Sequence, residues 1–143
     1  MEAQTAYGSE ALATFRVVGD SLDPEVITAG MALKPTTAHA KGESVPKHPD
    51  RKYPTGYWGL DSALESRRPL DDHLKHLLDI IESRQATLEE IKQRGWSVSF
   101  YCAYFAQTAV DNTVHLEPQT LGRIATLSVP LELHIYCDED TAA

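Results

Sequence analysis

The chain has 143 residues, 42% of them hydrophobic and 24% charged, with a formal charge of −8 at pH 7. That size suits one packed core and that composition is ordinary for a globular chain, which excludes a disordered or fibrous protein. The acidic excess argues against a whole-domain nucleic-acid binder, and two cysteines, Cys102 and Cys137, are too few for a disulfide scaffold or a four-thiolate zinc site.

No apolar run approaches the roughly 18 to 20 residues that cross a bilayer. The first ten residues carry Glu2 and Glu10 but no Lys or Arg, and no signal-peptide core follows them. The expectation is a cytoplasmic protein of one domain over 1–143, with its core at about 12–138 and flexible tails at 1–10 and 139–143.

Residues 13–18 (Ala-Thr-Phe-Arg-Val-Val) alternate Phe15 and Val17 against Thr14 and Arg16, which predicts a first strand. Asp23-Pro24-Glu25 supplies a cap oxygen, a proline for the first helical position and an acid for the positive helix end. A short helix over 24–29, closed by Gly30, follows. Pro35 limits 31–40 to an edge strand or extended loop. Pro46, Pro49 and Pro54 make 42–54 a surface loop without core contacts.

Residues 57–62 place Trp58 and Leu60 on one face and Tyr57 and Asp61 on the other, the period of a half-buried strand. Leu70, Leu74, Leu77, Leu78, Ile81, Leu88 and Ile91 then trace one face of a long helix that Gly95 ends. Residues 96–105 alternate Trp96, Val98, Phe100, Cys102 and Tyr104 against Ser97, Ser99, Tyr101 and Ala103, which predicts a central strand. Glu117-Pro118 opens a helix with Leu121, Ile124, Ala125 and Leu127 inside, and Pro130 stops it. A last strand over 131–137 sets Leu131, Leu133, Ile135 and Cys137 against Glu132, His134 and Tyr136. Both cysteines, each within a strand, are expected in the core.

The fold predicted is α+β: a mixed, mainly antiparallel sheet of four to five strands with a long amphipathic helix and two shorter ones. The first six elements follow the split βαβ order of ferredoxin-like folds, with an added helix-strand unit.

Several segments together resemble the family of small bacterial proteins known as domain of unknown function 4279. They are Ala13 with the seven residues after it, Leu22-Asp23-Pro24-Glu25, Leu33-Lys34-Pro35-Thr36 with Gly42, Gly56-Tyr57-Trp58-Gly59-Leu60, and the stretches 70–78 and 131–137. The resemblance implies a compact intracellular bacterial domain and transfers no catalytic residue.

Chemistry-bearing groups are sparse. His73 and His76 stand three apart on the long helix, as two metal ligands would, and Asp72 with His76 makes a second pair. No His-Glu-x-x-His pattern or third ligand accompanies them, so no metal and no cofactor is expected. The row Glu132, His134, Tyr136 and Asp138 could serve acid-base chemistry, but the solvated face of an edge strand looks the same. Neither cysteine lies in a pKa-lowering motif, and there is no nucleophile elbow and no phosphate-binding loop. No catalytic residue is assigned.

The unusual feature is electrostatic. Residues 34–52 hold Lys34, Lys41, Lys47, Arg51 and Lys52 against Glu43 and Asp50, a net +3 that leaves −11 elsewhere. With His39, His48, Tyr53 and Tyr57 close by, this segment is a candidate recognition surface. The binding residues expected are Lys41, Lys47, Arg51, Lys52, Tyr57 and Trp58. The function expected is interaction with another protein, in the manner of an immunity protein that neutralises a basic toxin. The alternative is a small-molecule binder or enzyme with a pocket between the sheet and the 34–52 segment, using Arg16, His39, Arg51, Tyr57 or Trp58. A homodimer paired through sheet edges is a third arrangement.

Overall fold

The computed structural model describes residues 9–107 and 112–137. Of the tails expected to be flexible, 1–8 and 139–143 lie outside the described residues, as does Asp138, whereas Ser9 is buried and Glu10 begins the first strand. Strand β1 (Glu10–Gly19) extends the predicted segment at both ends. Helix α1 (Pro24–Met31) starts as its sequence dictates: the Asp23 side chain accepts the Glu25 N–H at 3.0 Å, and Pro24 opens the helix. Its end differs from expectation. Gly30 lies inside the helix, and Ala32, at φ 55°, makes the left-handed stop. Gly30 serves close approach instead, because a Cβ there would meet the Thr87 methyl at 2.8 Å.

Strand β2 (Thr37–His39) is a three-residue edge. The segment expected to be a surface loop lies on the surface but forms a hairpin, β3 (Ser44–Val45) and β4 (His48–Lys52). Alternation of apolar residues could not announce it, since all of β4 is exposed and the hairpin is clasped by backbone bonds. Tyr53 N–H donates to the Glu43 carbonyl and Gly42 N–H to the Tyr53 carbonyl, both at 2.9 Å.

Strand β5 (Gly56–Asp61) precedes the long helical pattern. That pattern is realised as α2 (Leu70–Ile81), one 3-10 turn (Glu82–Arg84) and α3 (Gln85–Gln93), with Gly95 at φ 78° beyond the end. Arg84 at the tightened turn donates to the Met31 carbonyl at 2.6 Å and so ties the end of α1 to it. Strand β6 (Ser97–Ala106), helix α4 (Pro118–Leu127) and strand β7 (Leu131–Cys137) complete the chain. In α4 the buried row is Thr120, Ile124 and Leu127; Leu121 and Ala125, expected inside, face solvent.

The main sheet runs β2-β5-β1-β6-β7. Every neighbouring pair is antiparallel except β6 and β7, which are parallel. The order β2-β5-β1-β6, with helices between β1 and β2 and between β5 and β6, is the split βαβ arrangement; α4 and β7 add a further parallel unit. The helix-side core centres on Phe15, which pairs with Leu60 on one side and Phe100 on the other. The Phe15 ring meets Trp58 and Phe100 edge to face at 6.3 and 5.6 Å. Cys102 is buried here, but Cys137 is exposed. The expectation that both cysteines lie in the core fails because β7 is an edge strand the helices leave uncovered, with Leu133 39% and Ile135 58% accessible.

Candidate functional site

Strand alternation sends every second side chain to the face opposite the helices. The registers align three rows there: His39, Tyr57, Val18 and Ser97; then Thr37, Gly59, Arg16 and Ser99; then Asp61, Thr14, Tyr101 and Glu132. This open face is where the polar residues of the sheet collect.

Arg16 is its centre. Its guanidinium lies 4.4 Å over the Tyr101 ring, bonds Glu132 at 3.1 Å and reaches the Ser99 hydroxyl at 3.4 Å. The Ser99 hydroxyl and Arg16 together hold the Glu132 carboxyl below its usual value. The Tyr101 and Tyr136 hydroxyls share a hydrogen bond at 2.9 Å. That bond, with partial burial, pushes the Tyr101 phenol up to about 12. The His134 ring lies 4.7 Å from Tyr101, and the rings of Phe105 and Tyr136 stack at 5.2 Å.

On the β5 side, burial raises the Tyr57 phenol. Its ring lies across Gly59, where a Cβ would stand 2.6 Å from the hydroxyl. Any side chain at Gly59 would therefore displace Tyr57. The His39 ring stacks on Tyr53 at 3.5 Å and faces Tyr57 at 5.7 Å, so the ring series joins the hairpin base to the sheet. Burial lowers the His39 pKa. Thr14 donates to Asp61 at 2.6 Å.

The residues expected to bind divide into three groups. Lys47, Arg51 and Lys52 stand exposed on the hairpin, where Lys52 donates to Ser44 at 2.8 Å. Lys41 sits at its root and pairs with Asp20 at 3.3 Å. Tyr57 lies on the open face. Trp58 does not belong with them: it is fully buried on the helix side and its indole N–H donates to Thr28 at 3.0 Å, so no ligand can touch it. Adjacent strand residues point to opposite faces, and Tyr57 and Trp58 are adjacent.

Tyr101 was not among the expected residues. The signal existed in the polar parity of 97, 99, 101 and 103, but nothing in one strand shows that Arg16 and Glu132 flank that parity. His73, beside the buried Leu70, Leu74 and Leu77 face of its helix, is 1% exposed; its Nδ1 meets the Ser62 hydroxyl and its Nε2 has no partner among the described residues. Among the described residues no three His, Cys, Asp or Glu side chains gather as metal ligands. No helix among them is long and apolar enough to cross a membrane.

The family model described as "Domain of unknown function (DUF4279)" matches residues 6–138, which takes in all of the described residues. The chain belongs to this family. The segments that suggested the resemblance map onto β1, the start of α1, β5, α2 and β7, and, for 33–36 and Gly42, onto the connections on either side of β2. No curated protein and no solved structure matches the chain.

Glu132, held low, and the Tyr57 and Tyr101 phenols, pushed high, are each moved away from neutral pH, whereas general acid-base work needs a group poised there. The buried Cys102 thiol, raised to about 12, is equally inert. The arrangement offers preorganised donors, acceptors and aromatic faces.

Proposed function

We propose that this protein is a binding module that recognises another protein through the open face of its sheet, centred on Arg16, Tyr57 and Tyr101. The observation that supports it is the geometry of Arg16, held by Glu132, Ser99 and the Tyr101 ring on the face opposite the described helices. Tyrosine and arginine supply most binding energy at protein interfaces when their side chains are already ordered. The exposed basic hairpin flanks this face and offers a second contact, to an acidic patch of the partner. A net charge of −8 favours a basic partner through electrostatic steering, as in neutralisation of a basic toxin by an immunity protein.

The pocket alternative has less support. His39, Tyr53 and Tyr57 stack on one another between the sheet and the hairpin base, so the chain's own rings occupy that space.

The test is affinity capture from native cell extract followed by quantitative binding of the recovered partner. Three forms are compared: the natural chain, a Tyr57→Ala/Tyr101→Ala variant, and one with Lys47, Arg51 and Lys52 changed to Ser. Loss of each large interface side chain typically costs about 1–4 kcal/mol, so the tyrosine variant should bind at least tenfold more weakly with unchanged circular dichroism. Full affinity in that variant rejects the open face. Loss only in the hairpin variant moves recognition to the arm.

A further inference from the structure

β7 closes the sheet on the β6 side and its outer edge meets no strand among the described residues. It runs beside β6 for seven residues without a register shift, and Phe100 N–H donates to the Pro130 carbonyl at 2.9 Å. In such a parallel ladder the backbone groups of Glu132, His134 and Tyr136 turn towards β6. Those of Leu131, Leu133, Ile135 and Cys137 therefore point outward.

Edges of this kind are normally guarded by shortness, proline, lysine or a bulge. The opposite edge, β2, is guarded by its length of three residues. β7 has none of these devices. Its one charged residue with a fixed sign, Glu132, is neutralised by Arg16. Leu133, Ile135 and Tyr136 are exposed along it.

We propose that β7 pairs antiparallel with β7 of a second copy of this chain, about a two-fold axis at His134, joining the two sheets into one. This register pairs all seven residues. Leu133 exchanges both backbone bonds with Ile135 of the second copy, and Leu131 does so with its Cys137. A slip of one residue turns the free backbone groups away from each other, and a slip of two leaves strand ends unpaired.

The charges fit self-association. Glu132 falls opposite Tyr136 of the second copy and diagonal to its His134. The two Glu132 carboxylates stand about four residues, roughly 13 Å, apart along the strands, beyond the screening length at physiological salt. A chain of net charge −8 can thus meet its copy here without opposed carboxylates. Leu133 and Ile135 lie on the helix side, so substitutions there leave Arg16, Tyr57 and Tyr101 of the open face untouched.

Sedimentation of the full chain over a dilution series tests the contact. A reversible monomer–dimer equilibrium is expected, with a dissociation constant on the order of micromolar for an interface of this size. Leu133→Lys and Ile135→Lys should each weaken it at least tenfold while leaving circular dichroism unchanged, since both side chains are exposed. His134→Cys in a Cys137→Ser background should cross-link on mild oxidation, because facing positions between bonded pairs lie about 4.5 Å apart at Cα. Glu132→Cys in the same background should not, and buried Cys102 stays out of the reaction. A monomer at every concentration overturns the proposal. So does a dimer indifferent to the lysine variants, a failed His134→Cys cross-link, or a monomer whose β7 edge is instead taken by a different polypeptide.

Discussion

The Arg16 guanidinium lies 4.4 Å above the Tyr101 ring while the Tyr101 hydroxyl bonds Tyr136 at 2.9 Å, so one phenol is held from both its face and its tip. The bond to Tyr136 is the largest reason its ionisation is pushed to about 12. Tyr136→Phe removes that bond and leaves the Arg16 contact. Tyr101 should then ionise closer to the ordinary 10, and ultraviolet difference absorbance should show more tyrosinate below the alkaline unfolding limit than in the natural chain.

Gly59 and Gly56 offer a contrast on one strand. At Gly59 a Cβ meets the far end of the Tyr57 side chain, whereas at Gly56 it meets the Gly19 carbonyl at 2.8 Å and Leu22 Cβ at 2.9 Å. Gly56→Ala should destabilise by about 1–3 kcal/mol, as overpacking against backbone does. Gly59→Ala should cost less than about 1 kcal/mol but displace Tyr57, visible as a shifted Tyr57 ring resonance, and should weaken partner binding. Denaturant unfolding ranks the two; equal losses would contradict the packing described.

Trp58 is fully buried, and its indole N–H is satisfied by Thr28. Trp58→Ala should cost about 3–5 kcal/mol. Thr28→Val leaves the indole donor unpaired and should cost about 1–3 kcal/mol. Equilibrium unfolding with tryptophan fluorescence measures the Thr28 variant, and circular dichroism the Trp58 variant.

His73 is buried against Ser62, with Asp72 and Arg68 nearby, and burial is the main cause lowering its pKa from 6.5. The unfolded chain therefore binds this proton more readily than the folded one. The resulting stability is complete above about pH 6.5 and is lost as pH falls towards the folded value. Thermal melts between pH 7 and 5 should show a falling midpoint. His73→Phe should flatten that dependence, whatever its stability at pH 7, and an unchanged slope would assign the effect to other groups.

Much of the scaffold was legible in the chain. Phe15 and Val17 against Thr14 and Arg16 can only alternate across a sheet. The spacing from Leu70 to Ile91 fits only a helical face, and Asp23-Pro24 sets a helix start by local hydrogen bonding. Each rests on interactions within a few residues, which sequence records directly. The hairpin at 44–52 escaped because backbone bonds, not an apolar pattern, hold it. β7 misled because its alternation is that of a covered strand, yet Leu133 and Ile135 stay exposed. The open face depended wholly on strand order. Arg16, Tyr101 and Glu132 come from three separated segments, and only the antiparallel register of β1 with β6 and the parallel register of β6 with β7 set them side by side. Local propensity determines which residues share a face; tertiary pairing decides which faces become neighbours, because that choice is made by burial of the whole core around Phe15, Trp58 and Phe100.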